Sequence, residues 1–227
     1  MYWDSTYILV LIGAIISMIA SANVNSTFRR YSQSAFGRMT GRDAAERILR
    51  SAGIDDVRIE QVRGSLSDHY SPAEKVLRLS ESVYNSTSVA AIGVAAHECG
   101  HAIQHKEGYA PLKLRSASVP VANFGSWLSL PLVLFGLVLG YAGLARIGVF
   151  LFTFVVIFQL ITLPVEFNAS RRAMAALEQG GILNGSDLED AGKVLRAAAL
   201  TYVAALFAAV LQLLRLVLLA RGSRRRD

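Results

Sequence analysis

The chain has 227 residues, a formal net charge of +6 and one cysteine. Hydrophobic residues make up 53% of it, above the roughly 45–50% usual in soluble domains, and this excludes intrinsic disorder. A lone cysteine excludes an intrachain disulfide scaffold and any multi-cysteine zinc ribbon or iron–sulfur site. The arginines flank apolar runs, an arrangement that indicates membrane orientation rather than a nucleic-acid partner.

Four apolar runs are candidates for membrane helices, which need roughly 20 mostly apolar residues to cross a bilayer. They cover about residues 7–22, 127–144, 147–165 and 199–220. The second and third runs contain no internal charge and are joined by a short connector, so they predict a helical hairpin. The fourth run contains Arg215, which must snorkel, face protein, or mark a helix that lies partly in the interface.

The first apolar run has the length of either a membrane anchor or a secretory signal peptide. No basic segment precedes it, because the chain begins Met-Tyr-Trp-Asp, and no clear processing site follows it. We interpret it as a retained anchor. The predicted organisation is then an anchor, a polar domain, a membrane hairpin, a helix with a polar linker, and a C-terminal membrane helix with a basic tail, at residues 1–23, 24–119, 120–165, 166–198 and 199–227.

The polar domain begins with a predicted helix. Thr40 is a capping residue that precedes good helix formers, and Ala44, Ile48 and Leu49 lie on one face of the resulting helix. Gly53 is expected to end it. The first element of the domain is therefore an amphipathic helix.

Two strands and a second helix are predicted next. Residues 57–62 alternate between apolar and polar, as a half-buried strand does, and residues 76–79 form a second short strand. A turn-rich connector at 64–72 separates them. Several candidate N-caps at 85–88 precede a helix that continues through residue 105. The order is helix, two strands, helix, and then the membrane hairpin.

The second helix carries the sequence His97-Glu-Cys-Gly-His101, which has the form H-E-x-x-H. Residues four apart lie on one helix face, so both imidazoles can reach one tetrahedral zinc ion. Glu98 is offset from His97 by about 100°, which suits a general base beside the metal. The alternative is a helix with two ordinary histidines and a solvated glutamate. Since the chain has only four histidines, the motif favours a zinc hydrolase.

Two nearby residues offer further ligand atoms. Cys99 is two residues from each histidine and points away from their face, which favours a small buried residue over a zinc ligand. His105 lies one turn beyond His101 but about 12 Å along the axis from His97. On a straight helix this favours a surface or supporting role for His105 over that of third ligand.

A zinc hydrolase needs a third protein ligand, and the candidates are the downstream acids Glu107, Glu166, Glu178, Asp187, Glu189 and Asp190. Glu107 would require a break in the helix, and the last four lie in or near a turn-rich linker. Glu166 follows Pro164 at the end of the third apolar run. Because two spans separate Glu166 from His101, both residues emerge on one side of the membrane. Glu166 is the predicted ligand; the alternative is an interfacial acid stabilised by a helix N-terminus.

Motifs spread along nearly the whole chain point to one family; they include Met39-Thr-Gly, Leu66-Ser-Asp-His-Tyr, the ten residues from Ala95 to Gln104, and Thr162-Leu-Pro-Val-Glu-Phe-Asn-Ala-Ser-Arg-Arg-Ala. Together they resemble the bacterial membrane zinc metallopeptidases of the YugP type. More distantly, the chain is similar to the HtpX-type gluzincins, which also place a two-span hairpin between H-E-x-x-H and a glutamate ligand. The resemblance implies a peptidase with one zinc ion held by His97, His101 and Glu166, and with Glu98 catalytic.

The resemblance also raises the question of which residue supports the metal ligands. Those gluzincins usually carry an aspartate four residues after the glutamate ligand, as a partner for a histidine. Ser170 occupies that position here. Ser170 itself, Asn168 and Asp68 are the candidates for this role.

Other polar residues have two interpretations each. His69 is a candidate catalytic residue that stabilises the oxyanion or donates to the leaving amine, whereas the alternative is a capped turn with a packed Tyr70. The strand at 76–79 is a candidate edge strand that pairs with an extended substrate. Arg171 and Arg172 are expected to contact lipid phosphates in preference to a substrate carboxylate.

Basic residues outside the apolar runs favour a cytoplasmic active site, because more of them lie on the side of the polar domain. The tail Arg221–Arg226 contradicts this orientation unless the fourth run is interfacial. The sequence thus predicts a mostly α integral membrane protein of a bacterial cell membrane, with about four membrane helices and a small α+β zincin-like domain. Its expected activity is zinc-dependent endopeptidase action on a peptide or membrane-protein substrate; the alternative is a non-catalytic zinc-binding membrane scaffold.

Overall fold

The structure, a computed structural model, describes residues 5–33, 37 and 39–223. These residues form seven helices and three strands: α1 (Tyr7–Ser32), α2 (Gly41–Ser51), β1 (Arg58–Val62), β2 (His69–Ser71), β3 (Val76–Ser80), α3 (Glu81–Tyr84), α4 (Val89–Lys106), α5 (Ala110–Val138), α6 (Ala142–Gln179) and α7 (Gly185–Ser223). The mostly α fold class with a small α+β part is confirmed. Residues 1–4 of the expected anchor and Arg224–Arg226 of the expected basic tail lie outside the described residues.

The chain divides into two compact units. The apolar unit comprises Met1–Ser21, Leu114–Leu163 and Thr201–Asp227, and the polar unit comprises Ala22–Lys113 and Pro164–Leu200. Among the residues that the structure describes, four helices are long and apolar enough to cross a membrane, namely α1, α5, α6 and α7. Helices α1, α6 and α7 extend beyond the runs that hydropathy predicted, whereas α5 begins before the second run and ends within it, at Val138.

The apolar unit exposes large apolar side chains, as expected of helices that contact lipid. Trp127 is 75% exposed and Val138 is 81% exposed. Water-soluble proteins rarely expose many large apolar side chains together. Arg215 behaves differently. Its side chain is buried, and its guanidinium lies 4.1 Å from the ring centroid of Tyr7, so Arg215 faces protein, one of its three expected placements.

The sheet of the polar unit has the order β1-β3-β2, with β1 parallel and β2 antiparallel to β3. Two expectations are corrected here. Residues 69–71 form a strand within the segment that was expected to be a turn-rich connector. Strand β3 is therefore central, with both of its edges paired, so it cannot accept an extended substrate by strand addition.

The core of the polar unit lies between α2 and α4. The predicted start of α2 is confirmed by a capping box, in which Thr40 Oγ1 accepts from the Asp43 N–H and the Asp43 carboxylate accepts from the Thr40 N–H. The helix ends at Ser51, and Gly53 follows with φ of +63°. The predicted apolar face of α2 is buried in the same cluster as the alanines of α4. This packing makes α4 a rigid element for the residues it carries.

Candidate metal centre

Helix α4 presents two histidines on one face. Its predicted N-cap region is confirmed, with Ser88 Oγ accepting from the Ala91 N–H at 3.2 Å. His97 and His101 lie one turn apart, with ring centroids 4.8 Å from each other in an edge-to-face arrangement. The helix therefore delivers two imidazoles to one point, as its H-E-x-x-H spacing requires.

Helix α6 crosses α4 at Gly100, between the two histidines. A Cβ added to Gly100 would lie 2.4 Å from the carbonyl oxygen of Ala169, so only glycine permits this approach. Glu166 and Ser170 lie on α6 three residues before and one residue after Ala169. The crossing brings both side chains to the histidine face of α4.

The carboxylate of Glu166 completes a three-residue cluster. Its Oε2 lies 3.2 Å from His97 Nε2 and 3.6 Å from His101 Nε2. The candidate ligand atoms of these three residues all lie within 4.8 Å of one another. Donor atoms that bind tetrahedral zinc at 2.0–2.2 Å lie about 3.3–3.6 Å from one another. The two nitrogen–oxygen distances are close to this spacing, so the donor set fits Zn²⁺, and the structure brings together the three predicted ligands.

The outer nitrogens of the two imidazoles also have partners. His97 Nδ1 lies 3.1 Å from Ser170 Oγ, and His101 Nδ1 lies 3.0 Å from Gln104 Oε1. Ser170 was one of the predicted supporting residues, whereas Gln104 was not predicted. The signal for Gln104 was its position three residues after His101, which places both on one face of α4.

Glu98 lies beside the cluster and keeps 8% of its surface exposed. Within the part of the chain that the structure describes, its carboxylate makes no hydrogen bond or ion pair. The electrostatics of the cluster are dominated by acids. Burial lowers the pKa of His101, but the hydrogen bond with Glu166 and the charges of Glu98 and Glu166 outweigh burial and raise that pKa overall.

Other candidate ligands have partners elsewhere. Cys99 is fully buried, as predicted, and its Sγ donates to the Ala45 carbonyl at 3.6 Å. Burial raises the pKa of this thiol well above its usual value. His105 Nδ1 pairs with the hydroxyl of Tyr70 at 2.8 Å. Neither residue belongs to the three-residue cluster.

His69 is exposed, and its Nδ1 lies 2.9 Å from the Ser67 carbonyl. In the sheet it is the cross-strand neighbour of Arg78, whereas Tyr70 reaches α4 from the opposite face. Because adjacent residues of a strand point to opposite faces, His69 faces away from α4. Its catalytic role stays a prediction that this placement does not support.

Asp68 and Asn168 take part in other contacts. Asp68 accepts hydrogen bonds from the backbone N–H and the hydroxyl of Ser80, at 2.7 and 2.9 Å, and so ties the start of β2 to the end of β3. Burial raises the pKa of Asp68 although these hydrogen bonds oppose the shift. Asn168 contacts Gln104 rather than a histidine. It therefore reaches the cluster only through Gln104, which contacts His101.

Arg172 differs from the expectation that it contacts lipid phosphates. It forms an ion pair with Glu107 at 2.7 Å, its Nε donates to Asn168 Oδ1 at 2.7 Å, and it lies over the ring of Tyr109. These contacts hold the side chain against protein groups. Arg171, by contrast, is exposed.

Comparison with known proteins identifies the class. A family described as "Putative neutral zinc metallopeptidase" matches residues 6–221, and the chain belongs to this family. It is 46% identical over 221 residues to a Bacillus subtilis (strain 168) protein named "Putative membrane protease YugP", with 96% of this chain and 98% of that protein covered. The chain matches no solved structure. The resemblance stated from the sequence motifs is confirmed.

Proposed function

We propose that this chain is a membrane-embedded zinc endopeptidase in which His97, His101 and Glu166 hold the metal and Glu98 is the general base. The observation that carries the proposal is the convergence of two imidazole nitrogens on one carboxylate oxygen, at 3.2 and 3.6 Å, in a cluster whose ligand atoms lie within 4.8 Å of one another. The family description and the name of the Bacillus relative support the same class of enzyme.

The proposed chemistry is hydrolysis of a peptide bond. Zn²⁺ bound at the cluster would polarise the scissile carbonyl and lower the pKa of a water molecule. Glu98 accepts a proton from the attacking water and delivers it to the nitrogen of the leaving amine. Its carboxylate is nearly enclosed and, among the residues that the structure describes, makes no hydrogen bond or ion pair, which leaves it available for both transfers. Ser170 and Gln104 hold the imidazoles through their outer nitrogens.

The non-catalytic scaffold is disfavoured by the number of ligands. Structural zinc sites have four protein ligands, whereas catalytic sites have three and keep an open position. Among the described residues, three side chains form the cluster. The side chains that would supply a fourth ligand, Cys99, His105 and His69, contact Ala45, Tyr70 and Ser67 instead.

Metal removal tests this proposal. The full-length chain in detergent, purified without a polyhistidine tag, is expected to cleave fluorescent casein. Removal of metal with 1,10-phenanthroline should reduce cleavage to background, and one equivalent of Zn²⁺ should restore it. A wild-type protein that retains one zinc ion and cleaves no protein substrate, including detergent-solubilised membrane proteins, would contradict the proposal and favour the scaffold.

We further propose that the protein is multi-pass and that its cluster lies on the cytoplasmic side. Support comes from the basic residues at the ends of the helices that border the polar unit, such as Arg29, Arg30 and Lys113. The connector between α5 and α6 is followed by Arg146 alone, whereas the arginines that follow the fourth apolar run, Arg221 and Arg224–Arg226, oppose this orientation. Cytoplasmic segments carry an excess of lysine and arginine.

Cysteine labelling checks this orientation, since the native Cys99 is fully buried and gives little background. Tyr141→Cys, in the α5–α6 connector, should react with an impermeant maleimide in intact spheroplasts. Ser65→Cys, in the polar unit, should react only after permeabilisation. The opposite pattern would place the cluster outside the cell.

A further inference from the structure

We infer that Gln104 is a positioning residue that fixes the tautomer of His101 through a hydrogen-bond chain with a defined direction. The inference rests on the proposed metal site and identifies what prepares one of its ligands. The chain of hydrogen bonds runs from Arg172 through Asn168 and Gln104 to His101. All four side chains belong to the polar unit, and Gln104 has no exposed surface.

Arg172 determines which atoms donate and which accept along this chain of hydrogen bonds. A guanidinium only donates hydrogen bonds, and Arg172 Nε lies 2.7 Å from the side-chain amide of Asn168. The Asn168 atom at that position must therefore be its oxygen. The same oxygen lies 2.9 Å from the amide of Gln104, so Gln104 must present its NH₂ group there.

The backbone of α6 imposes the same orientation. The Gln104 NH₂ group also lies 2.8 Å from the carbonyl oxygen of Val165, which can only accept. Both protons of the NH₂ group are thus used, one on Asn168 and one on the residue that precedes Glu166. Gln104 thereby connects α4 to the turn of α6 that carries the third predicted ligand.

The remaining atom of the amide, Gln104 Oε1, lies 3.0 Å from His101 Nδ1. A carbonyl oxygen only accepts, so Nδ1 carries a proton and the neutral ring has its lone pair on Nε2. Nε2 is the nitrogen that faces Glu166. Arg172, acting through Asn168, and the Val165 carbonyl together determine which nitrogen of that imidazole is available to a metal.

His97 is supported in a less restrictive way. Its Nδ1 lies 3.1 Å from the hydroxyl of Ser170, and a hydroxyl can donate or accept. Ser170 is therefore compatible with either tautomer of His97. The two histidines of the motif differ accordingly, because only His101 is fixed by an acceptor whose orientation is itself determined.

Zinc affinity of the full-length protein, measured by competition with a chelator, tests the inference. Gln104→Met keeps the length of the side chain but removes the acceptor and both donors. Its dissociation constant for zinc should rise by about 10–100-fold, the usual effect of removing an outer partner of a metal-binding histidine. Size-exclusion chromatography and far-UV circular dichroism check that the variant is folded.

Two substitutions of Asn168 provide a matched pair that spares α4. Asn168→Asp keeps an acceptor for both Arg172 and Gln104 and should bind zinc as the wild type does. Asn168→Leu removes that acceptor, leaves one proton of the fully buried Gln104 amide without a partner, and leaves Val165 as the remaining contact that orients it, so zinc binding should weaken. Because aspartate and leucine are both close to asparagine in size, a general packing role at this position would instead give the two variants equal zinc affinities.

The outcomes separate this inference from the proposed function. A wild-type protein that does not bind zinc would contradict the proposed function itself. A wild type that binds zinc, with Gln104→Met binding equally well, would overturn the role of Gln104. If Gln104→Met does not fold, equal zinc affinities of Asn168→Asp and Asn168→Leu would overturn it instead.

Discussion

Replacing Glu98 by glutamine is expected to reduce the turnover number on a protein substrate by about 10²–10⁴-fold, the usual contribution of a general acid–base group. Glutamine has almost the same shape but cannot take a proton from water. Zinc should remain bound, because Glu98 is not one of the three clustered ligands. Its carboxylate has no hydrogen bond or ion pair in the described structure, so the fold should tolerate the amide.

Casein cleavage and zinc content, measured on the same preparation, check this expectation. Glu81→Gln, at an exposed position on α3, is the matched control and should keep full activity. Full activity of Glu98→Gln would remove Glu98 from the mechanism. Loss of zinc together with activity would instead make Glu98 part of the metal site.

The sequence alone located His97, His101 and Glu166. The two histidines follow from local helix geometry, and Glu166 follows from counting how often the chain crosses the membrane before it. The spacing of His97 and His101 determines their common helix face wherever the helix lies. The choice of Glu166 among six acids used the count of two apolar runs after His101 together with its position directly after the third run, before the turn-rich linker. Both arguments are independent of how side chains pack, which explains why the structure brings these three residues together.

The sheet was predicted less well because its pairing is non-local. Strand β2 has three residues within a serine-rich segment of turn-forming residues, so it lacks the alternation that marks a strand. It is held by pairing with β3 and by the contact of the Tyr70 hydroxyl with His105, 35 positions further along the chain. Without β2, β3 resembled an edge strand, and the substrate-pairing hypothesis followed from that error.

The residues that support the metal ligands were also predicted poorly, because their side-chain contacts involve partners that are distant in sequence. Gln104 is polar yet fully buried, and hydropathy alone would place a glutamine at the surface. Its burial is explained only by the carbonyl of Val165 and the amide of Asn168, both of which α6 supplies. Arg172 was assigned to lipid for a similar reason, since its partner Glu107 is distant in sequence.

Replacing Glu166 by glutamine is expected to raise the dissociation constant for zinc by more than about 100-fold, above the effect of losing an outer partner. A neutral amide oxygen is a far weaker zinc ligand than a carboxylate. The two imidazoles would remain, and two ligands on one helix do not close a tetrahedral site. Glu166 is 2% exposed, and glutamine can still hydrogen-bond to His97, so the chain should fold without metal.

Chelator competition and metal analysis after dialysis measure this effect, with Glu178→Gln as the control on the exposed surface of the same helix. The control should bind one zinc ion as the wild type does, and Glu166→Gln should retain none after dialysis. Wild-type affinity in Glu166→Gln would move the third ligand to another residue. The segment that follows the membrane hairpin would then supply no metal ligand through Glu166.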